Sequence, residues 1–404
     1  MSTSLTSFPS LVEAPFIIVK VGDYTFGSYT KSGSYSSAQV TFPNYMKSLN
    51  ITKVNGMVNI YSIRMEYAIS FGDDPNRLDK IFSSVSDTRE ITLSYGDWSS
   101  PSYIYREETA IITKVDSQVD FNNAKISYTI SCTSDSNLLA SAKFNFPKRV
   151  MKGSDALKEV LFNKKYGMQE VFSGMRSKQS VLDNNLIASD DKVITLNSKT
   201  ACSPLDYTNY VVNCMQPLDS SGGKYMVSVN DDTKSSVGGT YFKVSKLVSD
   251  ASEVSSLDTF SIDVGYPGDN FVTNFSLKND QSWSILYKYS GDIDPDSYNY
   301  KIGDGGELIS TYAPSILTSR KSMGSTAAMS AWWNSMTQFP IQATITIKGL
   351  IRPAILMSYV KINALFYGQK HVSSGLYIIS KQQDTVDASG YKTTLSLIRV
   401  GADS

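Results

Sequence analysis

The chain contains a single histidine, His371, and that residue is the first candidate for catalysis. A Ser-His-Asp or Cys-His mechanism needs a histidine as its general base, and Ser373 follows two residues later. His371 lies next to Lys370, in a polar stretch between two strand-like segments. We therefore interpret it as a solvated histidine in a turn. The single histidine also excludes a zinc site built from several histidines.

Cysteine is the next candidate nucleophile and metal ligand. The chain has three, at Cys132, Cys202 and Cys214. An odd number at wide spacing predicts neither a disulfide framework nor a zinc site. Cys202 and Cys214 are separated by a predicted helix, which is not metal-ligand spacing. We expect buried, reduced thiols, consistent with assembly in a cytoplasm.

Two further patterns imitate ligand-binding loops. Residues 292–296 resemble the start of a calcium loop, but Ser297 stands where glycine makes the turn and Gly303 where a bidentate carboxylate belongs. The pattern therefore favours an acidic turn. Residues 221–224 and 237–240 are rich in glycine, but neither joins a strand to a helix as a phosphate loop does. We interpret both as hairpin turns, and we expect no metal and no cofactor.

Paired carboxylates are the last candidates for chemistry. Glycoside hydrolysis uses two carboxyl groups on either side of the scissile bond. The sequence has two pairs of adjacent acids, Asp73 with Asp74 and Glu107 with Glu108. Either pair could flank a scissile bond only if a further acid approaches it from another part of the chain. In a chain with 38 acidic residues, such pairs are a weak indication of an enzyme.

Composition indicates a β-rich protein of more than one domain. At 404 residues the chain is long enough for two or three domains. Lys plus Arg equals Asp plus Glu, 38 against 38, so no basic excess points to nucleic-acid binding as the main task. The 25 tyrosines and many β-branched residues suit pleated sheets. No run of 18 apolar residues predicts a membrane span, and residues 1–10 do not resemble a signal peptide.

The first unit, residues 1–145, is predicted to hold strands interrupted by one helix. Asn55-Gly56 is a hairpin turn signal, and alternating apolar residues follow it from Tyr61 to Ile69. Asp74 is expected to cap a helix over residues 74–86 with Pro75 at its first position. Four residues form the apolar stripe of this helix: Leu78, Ile81, Phe82 and Val85.

The middle unit, residues 146–255, has a different pattern and is predicted to be an inserted α+β domain with a linker. Ser154 is expected to cap one helix that carries Leu157 and Val160. Ser203 and Pro204 are expected to start a second helix, as N-cap and first helical residue. Short strands and polar loops separate and follow these helices.

The last unit, residues 256–404, repeats the order of the first: strands, one amphipathic helix, then more strands. Its helix is predicted from Ser325 and carries Trp332 and Trp333. Neighbours on a helix point about 100 degrees apart, so we expect one tryptophan on the unit's own core and the other at a domain or subunit boundary. A carbohydrate-stacking site is the alternative interpretation.

The final sixty residues carry the most specific pattern, four strand-like segments in succession. The first spans residues 343–349 and is separated from the second by Arg352-Pro353. A Ser373-Ser374-Gly375-Leu376-Tyr377 element opens the third, and a Gly390-Tyr391-Lys392-Thr393-Thr394-Leu395 element opens the last. This run resembles the C-terminal barrel of phage tail baseplate hub proteins, the family of contractile-tail hubs and late-control D-type proteins.

The resemblance implies a mainly β (α+β) fold of two tail-tube-like antiparallel β-barrels. Each barrel has one helix, and the inserted domain separates the barrels. It implies a homotrimer that joins the sixfold tail tube to the threefold central spike and lines the channel. The tail tube protein, the central spike protein, the tape measure and the baseplate wedge are the implied partners. DNA is present only in transit, and the implied location is the virion baseplate, assembled in the host cytoplasm.

Eleven residues are expected to shape the units or their assembly rather than to catalyse a reaction: Asp74, Pro75, Leu78, Phe82, Trp332, Trp333, Pro353, Gly375, Tyr377, Gly390 and Tyr391. Two other functions stay open from sequence. One is a tail-tip protein that binds a receptor or the cell wall through the middle domain. The other is a peptidoglycan hydrolase with its site between residues 150 and 250, against which the single histidine counts.

Overall fold

The computed structural model describes residues 3–4, 15–28, 42–43, 45–83, 90–97, 104–134, 137–162, 193–215, 225–231, 240–246, 259–265, 272–279, 341–349 and 356–402. Within these ranges the chain is mainly β structure, as the composition predicted. Sixteen strands form one large sheet, and six more form three two-stranded sheets. None of the described helices is long and apolar enough to cross a lipid bilayer.

The first third of the chain folds around one hydrophobic core, which we call the first core. Its elements are β2 (Pro15–Val21), β3 (Tyr24–Ser28), β4 (Phe42–Pro43), β5 (Met46–Val54), β6 (Ile60–Ala68), α1 (Arg77–Ser83), β7 (Glu90–Asp97), β8 (Ile104–Asp120) and β9 (Lys125–Ser134). The short strand β1 (Thr3–Ser4) precedes them and pairs with a strand of the last third. The alternation predicted along β6 is confirmed by its buried side chains: Tyr61, Ile63, Met65 and Tyr67. The first core also contains Val386 and Tyr391, from the far end of the chain.

Helix α1 starts later than predicted, because Asp74 forms a turn of its own. The Asp74 Oδ1 accepts a hydrogen bond from the Asn76 amide at 2.9 Å, and its Oδ2 binds the Lys80 ammonium at 2.6 Å. The Lys80 hydrogen bond is the main cause that lowers the pKa of Asp74. Aspartate often bonds the backbone two residues on, and this turn delays the helix to Arg77.

Pro75 therefore lies in the turn and not at the first helical position. Its carbonyl accepts a hydrogen bond from the Tyr67 hydroxyl at 2.9 Å, which ties the turn to the sheet. The helix packs on the first core through three residues of the predicted stripe: Leu78, Ile81 and Phe82. Val85, the fourth, lies outside the described residues.

The described residues of the middle third form a smaller, separate core of three helices and short strands. Its elements are α2 (Leu138–Ser141), β10 (Phe144–Phe146), β11 (Arg149–Lys152), α3 (Gly153–Phe162), β12 (Val193–Leu196), β13 (Lys199–Cys202), α4 (Pro204–Cys214), β14 (Tyr225–Asp231) and β15 (Thr240–Lys246). Helix α4 is capped as predicted, with the Ser203 Oγ accepting from the Asp206 amide at 3.0 Å. Helix α3 begins at Gly153, so Ser154 lies inside its first turn and is not its cap.

The last third contains β16 (Thr259–Val264), β17 (Val272–Asn279), β18 (Ile341–Lys348), β19 (Tyr359–Phe366), β20 (Gln369–Lys370), β21 (Gly375–Asp387) and β22 (Gly390–Ala402). The four closing strands predicted from the sequence are confirmed as β18, β19, β21 and β22. They surround the last core, which runs from Phe260 to Leu397. The predicted helix with Trp332 and Trp333 lies outside the described residues, as does Pro353.

The expectation of two antiparallel barrels separated by the inserted domain needs a correction, because the described strands of the two outer thirds share one sheet. Strand β5 of the first third pairs with β21 of the last third, from Val54 opposite Lys381 to Ser48 opposite Asp387. All sixteen strands therefore share one sheet, and among the described strands its order does not close on itself. Three of its pairs are parallel: β1 with β16, β16 with β19, and β3 with β4.

Candidate assembly site at the joint of the two outer cores

Strand β21 belongs to both outer cores, and its pairing with β5 is called the joint below. Residues 375–378 of β21 pair with β19 of the last core, whereas residues 381–387 pair with β5 of the first core. Strand β22 accompanies β21 along its other side. Because β21 is longer than the stretch that β19 covers, its second half offers a free edge, and β5 fills that edge.

The predicted Asn55-Gly56 turn is confirmed and connects all three parts of the chain. The Asn55 amide donates to the Ser380 carbonyl at 3.1 Å, next to the joint. The Gly56 amide donates to the Val227 carbonyl of the middle unit at 2.7 Å, and the Asn209 side chain donates to the Gly56 carbonyl at 3.0 Å. Gly56 has a φ of 72°, which favours glycine. This turn fixes the middle unit against the two outer units.

A buried ion pair lies beside the joint. Glu108 is fully buried and forms an ion pair with Lys53, which is itself only 7% exposed. The hydroxyls of Tyr61 and Tyr95 donate to the same carboxylate at 2.6 and 2.7 Å. A buried carboxylate is costly unless it is paired and hydrogen-bonded, and here it has both kinds of partner. Lys53 lies on the core-facing side of β5, where its neighbours are apolar.

A second buried polar group faces the joint from β21 and β22. Asp384 is fully buried and accepts hydrogen bonds from the Gln382 side-chain Nε2 and the Thr393 hydroxyl, each at 2.6 Å. In the joint, Gln382 lies opposite Lys53. A slip of one residue would turn every side chain of a strand to its other face, so buried charges on both strands penalise a wrong register.

This buried polar layer was not predicted, although the sequence contains a signal for it. Lys53 occurs at the position where the alternation of β5 demands an apolar residue, two positions after Ile51. Glu108 does the same on β8, two positions before Ala110. A charge at an inward position of an alternating strand indicates a buried partner, but the sequence does not identify the partner.

The β21–β22 hairpin contains four residues that the sequence singled out. Gly375 and Gly390 begin the two strands, as predicted. Tyr377 is buried in the last core, where its hydroxyl donates to the Ser373 carbonyl at 2.7 Å, and burial raises the pKa of its phenol. Tyr391 reaches into the first core and packs edge-on against Tyr95, with ring centroids 6.2 Å apart. The hairpin thus supplies an anchor to each core.

Gly349 provides the space that Tyr391 needs. A Cβ at position 349 would lie 2.3 Å from the Tyr391 Cγ, and the Gly349 amide donates to the Tyr391 carbonyl at 2.7 Å. We expect Gly349→Ala to destabilise the protein by about 1–3 kcal/mol, because the buried ring has to shift. Denaturant unfolding measures this loss. An unchanged midpoint would show that Tyr391 is not held in this place.

His371 lies in the turn that precedes β21. Its Nδ1 is 2.7 Å from the Ser373 hydroxyl and accepts from the Ser373 amide at 3.3 Å. Its ring packs edge-on against Phe366, and its amide donates to the Ala364 carbonyl at 3.0 Å. Ser373 is fully buried, so its hydroxyl is closed to a substrate. These contacts describe a turn held by local hydrogen bonds.

The three thiols are free cysteines and poor nucleophiles. Burial raises the pKa of Cys132 to about 12 and that of Cys214 to about 11. Cys202 is half-buried, contrary to the expectation that all three are buried, and burial is the main cause that raises its pKa as well. A thiol reacts as its thiolate, and burial shifts all three thiols toward the protonated form.

The two members of each pair of adjacent acids have different partners or environments. Asp73 accepts from the Ser70 amide at 2.7 Å and Asp74 binds Lys80, so both are occupied in an exposed turn. Glu107 and Glu108 point to opposite faces of β8, and only Glu108 is fully buried. In the parts of the chain that the structure describes, no three metal-ligating side chains gather. Residues 221–224, 237–239 and 292–303 lie outside those parts.

Neither a protein-family model nor a curated protein sequence matches the chain. Among solved structures, the 43 kDa tail protein of prophage MuSo2 from Shewanella oneidensis is similar over 96% of this chain and 100% of its own, with a TM-score of 0.53 at 12% identity. The tail protein from Neisseria meningitidis MC58 is similar over 96% and 97%, with a TM-score of 0.50 at 9% identity. The resemblance to phage tail proteins that the sequence indicated is therefore confirmed at the level of the fold.

Proposed function

We propose that this protein is the structural hub of a phage or phage-like tail. In this role, three copies form a ring at the tail tip, between the sixfold tail tube and the threefold central spike. The tape measure and baseplate wedge proteins are its further neighbours, and DNA passes through the ring without being bound by sequence. The fold shared with two phage tail proteins over nearly the whole chain supports a place in the tail.

The observation that carries the proposal is the edge-to-edge joint between the two outer cores. One chain supplies two β units side by side in one sheet, so three chains supply six. A ring of six similar units matches a sixfold tube, whereas the same ring has only threefold symmetry at the level of chains. Heterologous contacts of this kind close a ring when each edge fits the opposite edge of the next subunit.

The proposed role is structural rather than catalytic. The side chains most suited to chemistry are engaged elsewhere: His371 in a turn, Glu108 in a buried ion pair and Cys132 and Cys214 in two cores. The buried polar groups at the joint act on the pairing of strands and not on a substrate. Within this proposal, the middle unit braces the joint through its contacts with the Asn55-Gly56 turn.

Light scattering on the purified full chain tests the proposed stoichiometry. We expect the mass of a trimer, three times the 44.5 kDa of one chain. A permanent interface of this kind typically buries more than about 2,000 Å², so the trimer should persist on dilution. A hexamer or dodecamer would contradict the proposal, because six units would then come from six chains and not from three.

A further inference from the structure

Strand β8 is the longest strand described, and half of one edge has no described neighbour. Residues 104–111 pair with β7, and residues 110–120 pair with β9 on the other side. Strand β7 covers one edge of β8 only up to residue 111. Along that same edge, from Ile112 to Asp120, no strand among the described residues pairs with β8. We call this stretch, residues 112–120, the open half of β8.

The open half carries two valines on one face. Val115 lies opposite Ile130 and Val119 opposite Ile126, whereas the intervening Asp116 and Gln118 are polar. Residues 113–119 are all exposed, including Val115 at 37% and Val119 at 44%. An unpaired edge with exposed valines is a surface that other strands pair with.

A groove runs beside the open half and gives room for another segment of chain. Its volume is about 560 Å³, and it lies between β8 and α1. Helix α1 contributes Asp79 and Phe82 to its wall, whereas the strand contributes Ile112, Val115 and Ser117. The groove is therefore partly apolar, and the backbone edge of β8 borders it.

Strand β21 has the same arrangement as β8, but the second part of its edge is paired. Strand β21, like β8, is the first strand of a long hairpin, and only the first part of its edge pairs with its own core. The second part receives β5 from the other outer core, over residues 48–54. In both hairpins the second half of the first strand extends past its own neighbour, but only β21 has a described partner there.

We propose that the open half of β8 receives a strand from a second copy of this chain. The inference rests on the proposed ring. In that ring, units with the first core alternate with units with the last core, so the last core of one copy lies beside the first core of the next. The incoming strand extends the sheet across the subunit boundary and covers Val115 and Val119. Lys114 and Asp116 bind each other at 2.8 Å, so their charges are balanced within the strand.

The double variant V115K/V119K tests this assignment by light scattering and thermal unfolding. Both valines are exposed in the single chain, so the melting temperature of the monomer should not fall. We expect the dissociation constant of the assembly to rise by about 100-fold or more, because the two lysines would be buried between copies. The matched control is V150K/V193K, which adds the same charge at exposed valines of β11 and β12.

The oligomeric states of the two variants and of the native chain separate the β8 contact from the trimeric hub. Dissociation of V115K/V119K, with V150K/V193K still assembled, supports the open half of β8 as the contact. If both variants remain trimers, the assignment to β8 is wrong while the trimeric hub stands. If the native chain assembles into another oligomer that V115K/V119K disrupts, the β8 contact stands and the trimeric hub is wrong. A native chain that stays monomeric at every concentration overturns both.

Discussion

Replacing Lys53 by Met should destabilise the protein by about 3–5 kcal/mol, the loss typical of a buried ion pair from which one partner is removed. The substitution leaves the Glu108 carboxylate fully buried without its ammonium partner. The hydroxyls of Tyr61 and Tyr95 stay in place, but neutral donors do not balance the charge. Denaturant unfolding measures the effect.

The control for this prediction is Lys80→Met, which breaks an ion pair of similar length on the surface. Lys80 and Asp74 are 2.6 Å apart, but their side chains are 70% and 42% exposed. Exposed pairs contribute about 0–1 kcal/mol, so this variant should unfold almost as the native protein does. Equal losses in the two variants would show that Lys53 and Glu108 are not buried as described.

Leu78→Ala is expected to destabilise the protein by about 2–5 kcal/mol, since it opens a cavity under α1. Leu78 is fully buried in the first core, and the described part of the helix that carries it has seven residues. A segment of that length is not a stable helix alone, and its packing on the sheet has to hold it. Thermal unfolding of Leu78→Ala should therefore show a large fall in the melting temperature.

Lys80→Ala on the same helix separates packing from helix propensity. Lys80 is exposed, and alanine favours helix at least as well as lysine. We expect a change below about 1 kcal/mol for this variant. A melting temperature that falls as far with Lys80→Ala as with Leu78→Ala would contradict the packing of α1 through its apolar stripe.

Local patterns were sufficient to predict many of the elements. Alternation identified β6 and the closing strands, and the pair Ser203-Pro204 identified the start of α4, because these signals depend only on residues near in sequence. The start of α1 was wrong for an equally local reason. The Asp74 side chain can accept a hydrogen bond at the start of a helix or in a turn. In this structure it accepts from the Asn76 amide in a turn that precedes the helix.

The joint between the outer cores was beyond prediction from sequence. Thr385 and Asn50 are hydrogen-bonded across it although they are 335 positions apart. Periodicity shows that β5 and β21 are strands with one buried face, but it contains no information on which edges meet. The buried charges of Lys53 and Glu108 indicated only that partners exist. The expectation of two barrels separated by the inserted domain failed at this pairing of β5 with β21.

We expect electron microscopy of assembled tails to show three copies of this chain, each with two β units, in one ring at the tail tip. With the chain labelled, its density should lie at the tip of the tube and on its axis. Averaged images should show six similar β units around a channel. Six or twelve copies per ring, or a position on the capsid or on a peripheral fibre, would show that the protein is not the trimeric hub.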